Sequence, residues 1–313
     1  WRLTAATDHE YIANTFRPVE RFRPAEFERN WNALLVPQDN DQQLSSVSLA
    51  LQAGRMGRTK VSSSRYAITQ RFTGYRHAIE SELHPGRFDV LLDGSVLSTE
   101  AGAITSSFLR HKARLARRMK WITLGVRDEQ EHNTYRNDTT GSLLAGSYSF
   151  LDWSAFAQSP DSARVHFGLS GGQRYEHVLK GTALARSTEA TTYSASIDMR
   201  SDPRKRFSFT GTYRSLRILD STLVAQKPED TWLGRIDGDV SMLKGAANFN
   251  LFYELGSGLE QRREFIYVQV PAGQGTYIWN DYNANGLKEL NEFEVANFGY
   301  EADYIRAYTP TNE

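Results

Sequence analysis

The sequence predicts an all-β protein, built as a long antiparallel meander of about a dozen strands. Apolar and polar residues alternate repeatedly from about residue 44 to residue 270, and helical periodicity is scarce. Aromatic residues make up 12% of the chain, which suits half-buried strands. A long meander buries its apolar face against another sheet, by closing on itself, or against lipid. Open or packed sheets and an outer-membrane-type barrel therefore remain alternatives.

The clearest strand pair lies in the second half of the chain. In Tyr193–Arg200, Tyr, Ala, Ile and Met fall on one face, and Ser, Ser, Asp and Arg fall on the other. The run Phe207–Arg214 alternates in the same way, with a slip in spacing predicted near Gly211. A polar turn, Ser201–Lys205, separates the two runs, so they predict an antiparallel hairpin.

Further alternating runs predict the other strands, many of them roughly 8–11 residues long and thus longer than the usual five or six. The strongest are Val47/Leu49/Leu51, Phe88/Val90/Leu92, Ile122/Leu124/Val126, Val165/Phe167/Leu169, Ile236/Val240/Met242 and Phe249/Leu251/Tyr253/Leu255. The weaker ones are Tyr66–Phe72, Ser147–Phe156 and Glu264–Val270.

Three regions follow from this pattern. Residues 1–43 form an irregular N-terminal segment with dense charge and a short helix at Pro24–Trp31, where proline suits the helix start. Residues 44–275 form the antiparallel β domain. Residues 276–313 form a calcium-loop tail with a short helix at Leu290–Asn297, and this tail is expected to belong to a longer protein.

Composition and charge exclude several classes of function. Lys+Arg and Asp+Glu are both 37, so no net positive field favours nucleic acid as a partner. No apolar run approaches the roughly 18 residues of a membrane helix. Membrane association through β-strands remains possible, because such strands are apolar only at alternate positions. The chain has no cysteine, which excludes disulfides and thiolate metal sites.

The segment Asp281–Glu292 is the strongest candidate for a chemical site. It places oxygen donors at the positions that an EF-hand-type loop uses for Ca²⁺, with Gly286 at the sharp turn. The candidate metal ligands are Asp281, Asn283, Asn285, Leu287 (through its carbonyl), Glu289 and Glu292. Asn replaces Asp at two positions, so we expect weak affinity, about 10⁻⁴–10⁻³ M. The alternative is an Asn/Gly-rich turn with surface acids.

The other candidate motifs favour structural interpretations. The basic run Arg110–Lys120 is predicted to pair with the acidic run Asp128–Glu131 across a hairpin, rather than to bind phosphate or lipopolysaccharide. Gly171–Gly172 is predicted to mark a bulge or bend. Histidine spacing matches no zinc motif, and no nucleophile-elbow motif is present. We therefore predict that the protein is not an enzyme, and no catalytic residue is assigned.

Three stretches resemble a known group of proteins. Phe16–Trp31, Val270–Glu294 and Ala302–Glu313 are similar to segments of large β-rich outer-membrane and cell-surface proteins of Bacteroidota. The resemblance covers roughly a fifth of the chain, at its ends. It implies a secreted chain associated with the outer membrane, and it implies no catalytic residues.

Together these observations predict a non-enzymatic structural or interaction component of a bacterial outer-membrane or cell-surface assembly, with Ca²⁺ stabilising one loop. Its expected partners are other envelope proteins, or surface glycans and lipids. One alternative is an outer-membrane transport or secretion barrel, which the strand lengths favour. A second is a carbohydrate-binding or carbohydrate-active surface protein that stacks sugars on exposed aromatic residues, and the candidates are Trp121, Trp153, Trp232 and Trp279.

Overall fold

The chain forms two compact units, residues 1–258 and 259–313. The computed structural model describes residues 1–16, 23–24, 26–33, 36–160, 162–202, 205–242, 246–257, 263–270, 275–280, 282, 288, 292–296 and 298–310. Because the second unit begins at residue 259, the boundary predicted at residues 275/276 lies inside it. No helix among these residues is long and apolar enough to cross a membrane.

The first unit is a 13-stranded antiparallel sheet in which every strand pairs with its neighbours in the chain. The strands are β1 (Arg2–Ile12), β2 (Gln42–Gln52), β3 (Gly57–Ile68), β4 (Phe72–Leu83), β5 (Phe88–Ala101), β6 (Ile104–Arg118), β7 (Thr123–Asn137), β8 (Tyr148–Gln158), β9 (His166–Lys180), β10 (Ala183–Asp202), β11 (Lys205–Ile218), β12 (Glu229–Met242) and β13 (Ala247–Ser257). Among the described residues no pairing joins β1 to β13, so the sheet is an open meander with these two strands as its edges. The all-β meander predicted from the sequence is confirmed.

Several local predictions were wrong. Strand β1 lies inside the segment predicted to be irregular, and it pairs with β2 along its whole length. Tyr66–Phe72 is not a strand, because β3 ends at Ile68 and β4 begins at Phe72. No register slip occurs near Gly211, which pairs in order with Gly234. The register of β10 with β11 shifts instead between Met199 and Asp202.

The buried core lies where the N-terminal segment packs on one face of this sheet. A short helix, α1 (Phe27–Asn30), falls within the predicted helix. The fully or nearly fully buried core side chains are Trp31, Ala33, Tyr66, Ile68, Phe72, Leu97 and Phe108. Tyr66 lies against the rings of Phe27, Trp31 and Phe72 at centroid distances of 5.1, 5.4 and 5.5 Å. These contacts hold the N-terminal segment on the sheet.

Polar contacts fix the same segment in register. Arg29 forms an ion pair with the buried Glu131 at 3.1 Å, and Tyr148 donates a hydrogen bond to the same carboxylate at 2.7 Å. The side-chain amides of Asn32 and Asn133 donate to each other at 2.9 and 3.0 Å. A reciprocal amide pair satisfies donors and acceptors on both sides, which makes its position specific.

The second unit is a four-stranded sheet of short strands. Its strands are β14 (Arg263–Gln269), β15 (Tyr277–Trp279), β16 (Phe293–Val295) and β17 (Tyr304–Pro310), arranged in the order β14–β17–β15–β16. The rings of Tyr267 and Phe293 stack at 4.0 Å, and Tyr304 meets Phe293 edge-on at 5.0 Å. The predicted helix over Leu290–Asn297 is wrong, because Phe293–Val295 pairs with β15 as a strand.

Candidate functional site

One face of the large sheet carries an extended set of exposed apolar side chains, here termed the apolar band. Directly paired residues of an antiparallel sheet lie on the same face, so the register assigns each side chain to a face. The band comprises Leu3, Val47, Leu49, Leu51, Val61, Val96, Leu109, Leu115, Leu124, Val126, Leu169, Ile197, Met199, Phe207, Phe249, Leu251, Tyr253 and Leu255. Side chains such as Val47 and Leu169 expose 53% and 55% of their surface.

The apolar band crosses the strands obliquely. The hydrogen-bonded row that begins at Leu49 reaches Gln130 on β7. The band residues of β7 are instead Leu124 and Val126, several positions away from that row. Strands that cross a membrane are tilted, so a horizontal apolar layer meets successive strands at shifted positions. The band residues shift along successive strands relative to the hydrogen-bonded row of Leu49, and tilted strands produce such a shift.

Aromatic residues border the apolar band on β10 to β12. Tyr193, Tyr213 and Trp232 form one hydrogen-bonded row, and the rings of Tyr213 and Trp232 lie 4.4 Å apart. On β10, Ile197 and Met199 follow Tyr193 on the same face, whereas Glu189 lies on the other side of it. Tyr and Trp prefer the boundary between an apolar layer and water.

A polar pair interrupts the band where it crosses β6 and β7. His111 Nε2 lies 2.6 Å from Asp128 Oδ2, on the same face as Leu109 and Val126. A hydrogen bond between two polar groups lowers the cost of placing either of them in an apolar environment. This contact also belongs to the predicted pairing of the basic and acidic runs, which the register of β6 with β7 confirms.

The opposite face, here termed the polar face, carries rows of charged residues. One row pairs opposite charges across strands: Lys112 lies 2.9 Å from Glu129, Arg174 lies 3.7 Å from Asp152, and the more distant pair Lys60–Glu80 is separated by 4.0 Å. A groove of about 1110 Å³ lies on this face and is lined by both acids and bases. The alternation seen in the sequence thus separates one apolar and one charged surface on the same strands.

Of the predicted calcium ligands, only Glu292 belongs to the described part of the chain. The other five lie outside it: Asp281, Asn283, Asn285, Leu287 and Glu289. Glu292 is 1% exposed, and Trp279 Nε1 donates a hydrogen bond to its Oε2 at 2.9 Å. Within the described ranges, no three His, Cys, Asp or Glu side chains are grouped closely enough to hold a metal ion.

The two ends of the predicted calcium loop are nevertheless held together. Strands β15 and β16 pair directly, and the Asn280 N–H donates to the Glu292 carbonyl at 2.9 Å. The loop therefore connects the two strands of a hairpin, so it does not lead from a strand into a helix. Within it, a hydrogen bond to Glu294 raises the pKa of the exposed Tyr282. The Lys288 ammonium lies 5.1 Å from the centroid of the Tyr304 ring.

Two features of these surfaces depend on strand register and could not be identified from the sequence alone. The aromatic border is recognisable only when Tyr193, Tyr213 and Trp232 are placed in one row, although each stands at the end of an alternating run. The register also brings Arg114 of the basic run opposite Arg127. The composition of the basic and acidic runs alone indicates that the acidic residues neutralise the basic ones, but it does not show which residues face each other.

Comparisons with protein-family models, with curated proteins and with solved structures gave no match to this chain.

Proposed function

We propose that the large sheet lies in the bilayer of a bacterial outer membrane, where the protein is a non-enzymatic structural or interaction component of an envelope assembly. The observation that carries this proposal is the exposed apolar band with its Tyr/Trp border. Soluble monomers rarely expose contiguous apolar patches larger than a few hundred Å². Removing a Leu, Val or Phe side chain from water is worth about 1.5–3 kcal/mol, so a band of this extent favours a lipid environment.

The height of the band fits a membrane. On β12 the face that carries the band is apolar from Trp232, at the aromatic border, to Met242. This stretch is about 34 Å long at about 3.4 Å per residue. A strand tilt of about 40° reduces this to about 26 Å along the membrane normal. The apolar layer of outer-membrane proteins is about 25 Å tall. The aromatic border also favours lipid over a second protein sheet, because Tyr and Trp concentrate at membrane interfaces.

The two edge strands complete the proposal. In hydrocarbon, an unpaired backbone N–H or C=O group costs several kcal/mol, so open sheet edges do not occur there. Strands β1 and β13 would therefore pair with further strands in the assembly, which agrees with the expected envelope-protein partners. The resemblance of the terminal stretches to Bacteroidota surface proteins, stated from the sequence alone, implies the same location.

Association with lipid vesicles tests this proposal. The chain refolded in the presence of vesicles should float with them in a density gradient, and the association should resist alkaline carbonate. Its β-strands should also be protected from protease. A chain that is monomeric and folded in detergent-free buffer and that stays at the bottom of the gradient would overturn the proposal.

Transport or secretion is a second candidate, favoured by the charged polar face. A membrane sheet with one apolar and one charged face can line an aqueous path. The charged groove of about 1110 Å³ is a specific feature on which this candidate depends. Ion conductance across a planar bilayer that contains the assembled protein would support transport. A bilayer without conductance would leave the structural role as the only proposal.

We also propose that the loop Asp281–Glu292 binds Ca²⁺ and stabilises the β15–β16 hairpin. Support comes from the donor spacing and from the pairing that holds the two loop ends together. Calcium should raise the melting temperature of the parent chain, and Asp281→Asn should remove that rise. Glu301→Gln, which changes an exposed acid of the same unit outside the loop, is the control and should retain the rise. A parent chain with no calcium-dependent shift would refute the site.

A further inference from the structure

A row of arginines on the polar face differs from the charge-paired row beside it. The row contains Arg58, Glu82, Leu91, Arg114, Arg127, Ser154, Gly172, Thr192 and Arg214. Its single acid, Glu82, lies 3.4 Å from His84. Several of these arginines line the groove described above. The row therefore carries excess positive charge in a chain whose formal net charge is zero.

Arg114 and Arg127 form the centre of this row. They are direct cross-strand partners, and both guanidinium groups lie over the ring of Phe156, at 4.9 and 5.1 Å from its centroid. Like charges placed directly opposite each other are destabilising. Within the described part of the chain, no carboxylate oxygen lies within 4.0 Å of either guanidinium. Two adjacent, unneutralised guanidinium groups are the arrangement that binds an oxyanion.

The surrounding backbone preserves this arrangement. At Gly125, an added Cβ would lie 2.4 Å from the Phe156 ring, so only glycine leaves room for the ring beneath the two guanidinium groups. At Gly172, a Cβ would lie 2.3 Å from the Trp153 carbonyl oxygen. The register of β9 is continuous through Gly171 and Gly172, so the bulge predicted there is absent. The glycine instead allows a close backbone approach.

Small residues separate the pair from the next arginine of the row. Ser154, Gly172 and Thr192 lie between Arg127 and Arg214. Four strand spacings of about 4.8 Å place the two arginines about 19 Å apart. The floor between them carries no large side chain, so a ligand that binds at Arg114 and Arg127 can extend along the groove.

We propose that Arg114 and Arg127 bind an oxyanion, the phosphate or carboxylate group of a ligand that lies in the groove on the polar face. Each guanidinium presents a planar set of donors that matches two oxygens of such a group. Phe156 supports both guanidinium planes from below, which limits the side-chain entropy lost on binding. The bound anion removes the repulsion between the two like charges. The proposal depends on the polar face alone and goes beyond the membrane role.

Calorimetric titration of the full chain in detergent micelles tests this inference. Pyrophosphate and citrate are the two probes, each in buffer freed of calcium by a chelating resin. The parent should bind at least one of them, and Arg114→Gln with Arg127→Gln should weaken that binding about ten-fold or more, because two charge-assisted contacts are lost. Binding of pyrophosphate alone would assign the site to phosphate, and binding of citrate alone would assign it to carboxylate.

Two further variants separate geometry from net charge. Arg65→Gln with Arg217→Gln removes the same charge from exposed positions on the opposite face and should leave affinity within about two-fold. Arg114→Lys with Arg127→Lys keeps the charge but loses the planar donors, so an intermediate affinity is expected. The inference is overturned if the parent binds neither probe, or if the Gln pair binds as tightly as the parent. The anion affinities of the parent chain and of the Gln pair are measured in micelles, so a failure of vesicle association would not alter them.

Discussion

The two faces of the large sheet are built from alternate residues of the same strands, and yet they are opposites in chemistry. Ile197 lies exposed among apolar neighbours, whereas the adjacent Ser196 lies on the face with Thr210 and Arg235. A sheet between water and a protein core would bury its apolar face. Here the buried core lies on the polar face, under the N-terminal segment, and the apolar face is left exposed. That inversion supports the proposal that the apolar face contacts lipid.

The largest expected effect tests the packed part of the polar face. Trp31→Ala removes a ring that is 4% exposed and contacts Tyr66, so it should lower the free energy of unfolding by about 3–5 kcal/mol. Trp1→Ala, the same change at a side chain that is 87% exposed, should alter it by no more than about 0.5 kcal/mol. Urea unfolding in micelles measures both. Equal effects would mean that the N-terminal segment does not form the core.

A matched pair of lysine substitutions sharpens the contrast between the faces. Ile197→Lys places a charge in the middle of the apolar band and should cost about 2–4 kcal/mol in a bilayer. Ser196→Lys places the same charge one residue away on the polar face, and we expect a change within about 0.5 kcal/mol. Unfolding from lipid vesicles measures the difference. Similar costs for the two variants would argue that both faces meet the same solvent.

The smallest expected effect lies outside both faces, in the loop between β11 and β12. Lys180 Nζ lies 2.5 Å from Asp220 Oδ2, and together with Thr222 it lowers the pKa of Asp220 to about 2. A lowered pKa means that this contact stabilises the fold above about pH 4 and that the contribution is lost as the pH falls through about 2. Lys180→Gln should raise the pKa of Asp220 towards its usual value. Carbon-13 shifts of the carboxyl group during an acid titration measure it, and an unchanged midpoint would exclude the lysine as the cause.

Much of the fold could be predicted from the sequence, because alternation is read directly from neighbouring residues. The polar ends of the strands could not: His132–Asn137 is a polar stretch without alternation, but it continues β7 because β6 supplies its partners. Strand β1 has weak alternation and is defined by its pairing with β2. The helix expected near Phe293 is replaced by a strand, since pairing with β15 outweighs local propensity.

The candidate sites also differ in whether a local sequence pattern can predict them. The donor spacing of the calcium loop is a local pattern, so Asp281 and Glu292 could be proposed from the sequence alone. The pair formed by Arg114 and Arg127 depends on the register of two strands. No local pattern specifies which arginines of a basic run will face each other. The aromatic border depends on register in the same manner.

The proposed membrane role requires that the apolar band contact lipid and that the alternate residues of the same strands do not. The chain contains no cysteine, so Ile197→Cys and Ser196→Cys each provide a single site for a nitroxide spin label. In vesicles, the label at residue 197 should collide with oxygen, which concentrates in hydrocarbon, and should be shielded from a water-soluble nickel chelate. The label at residue 196 should show the reverse. Equal access of the nickel chelate to both labels would contradict the account.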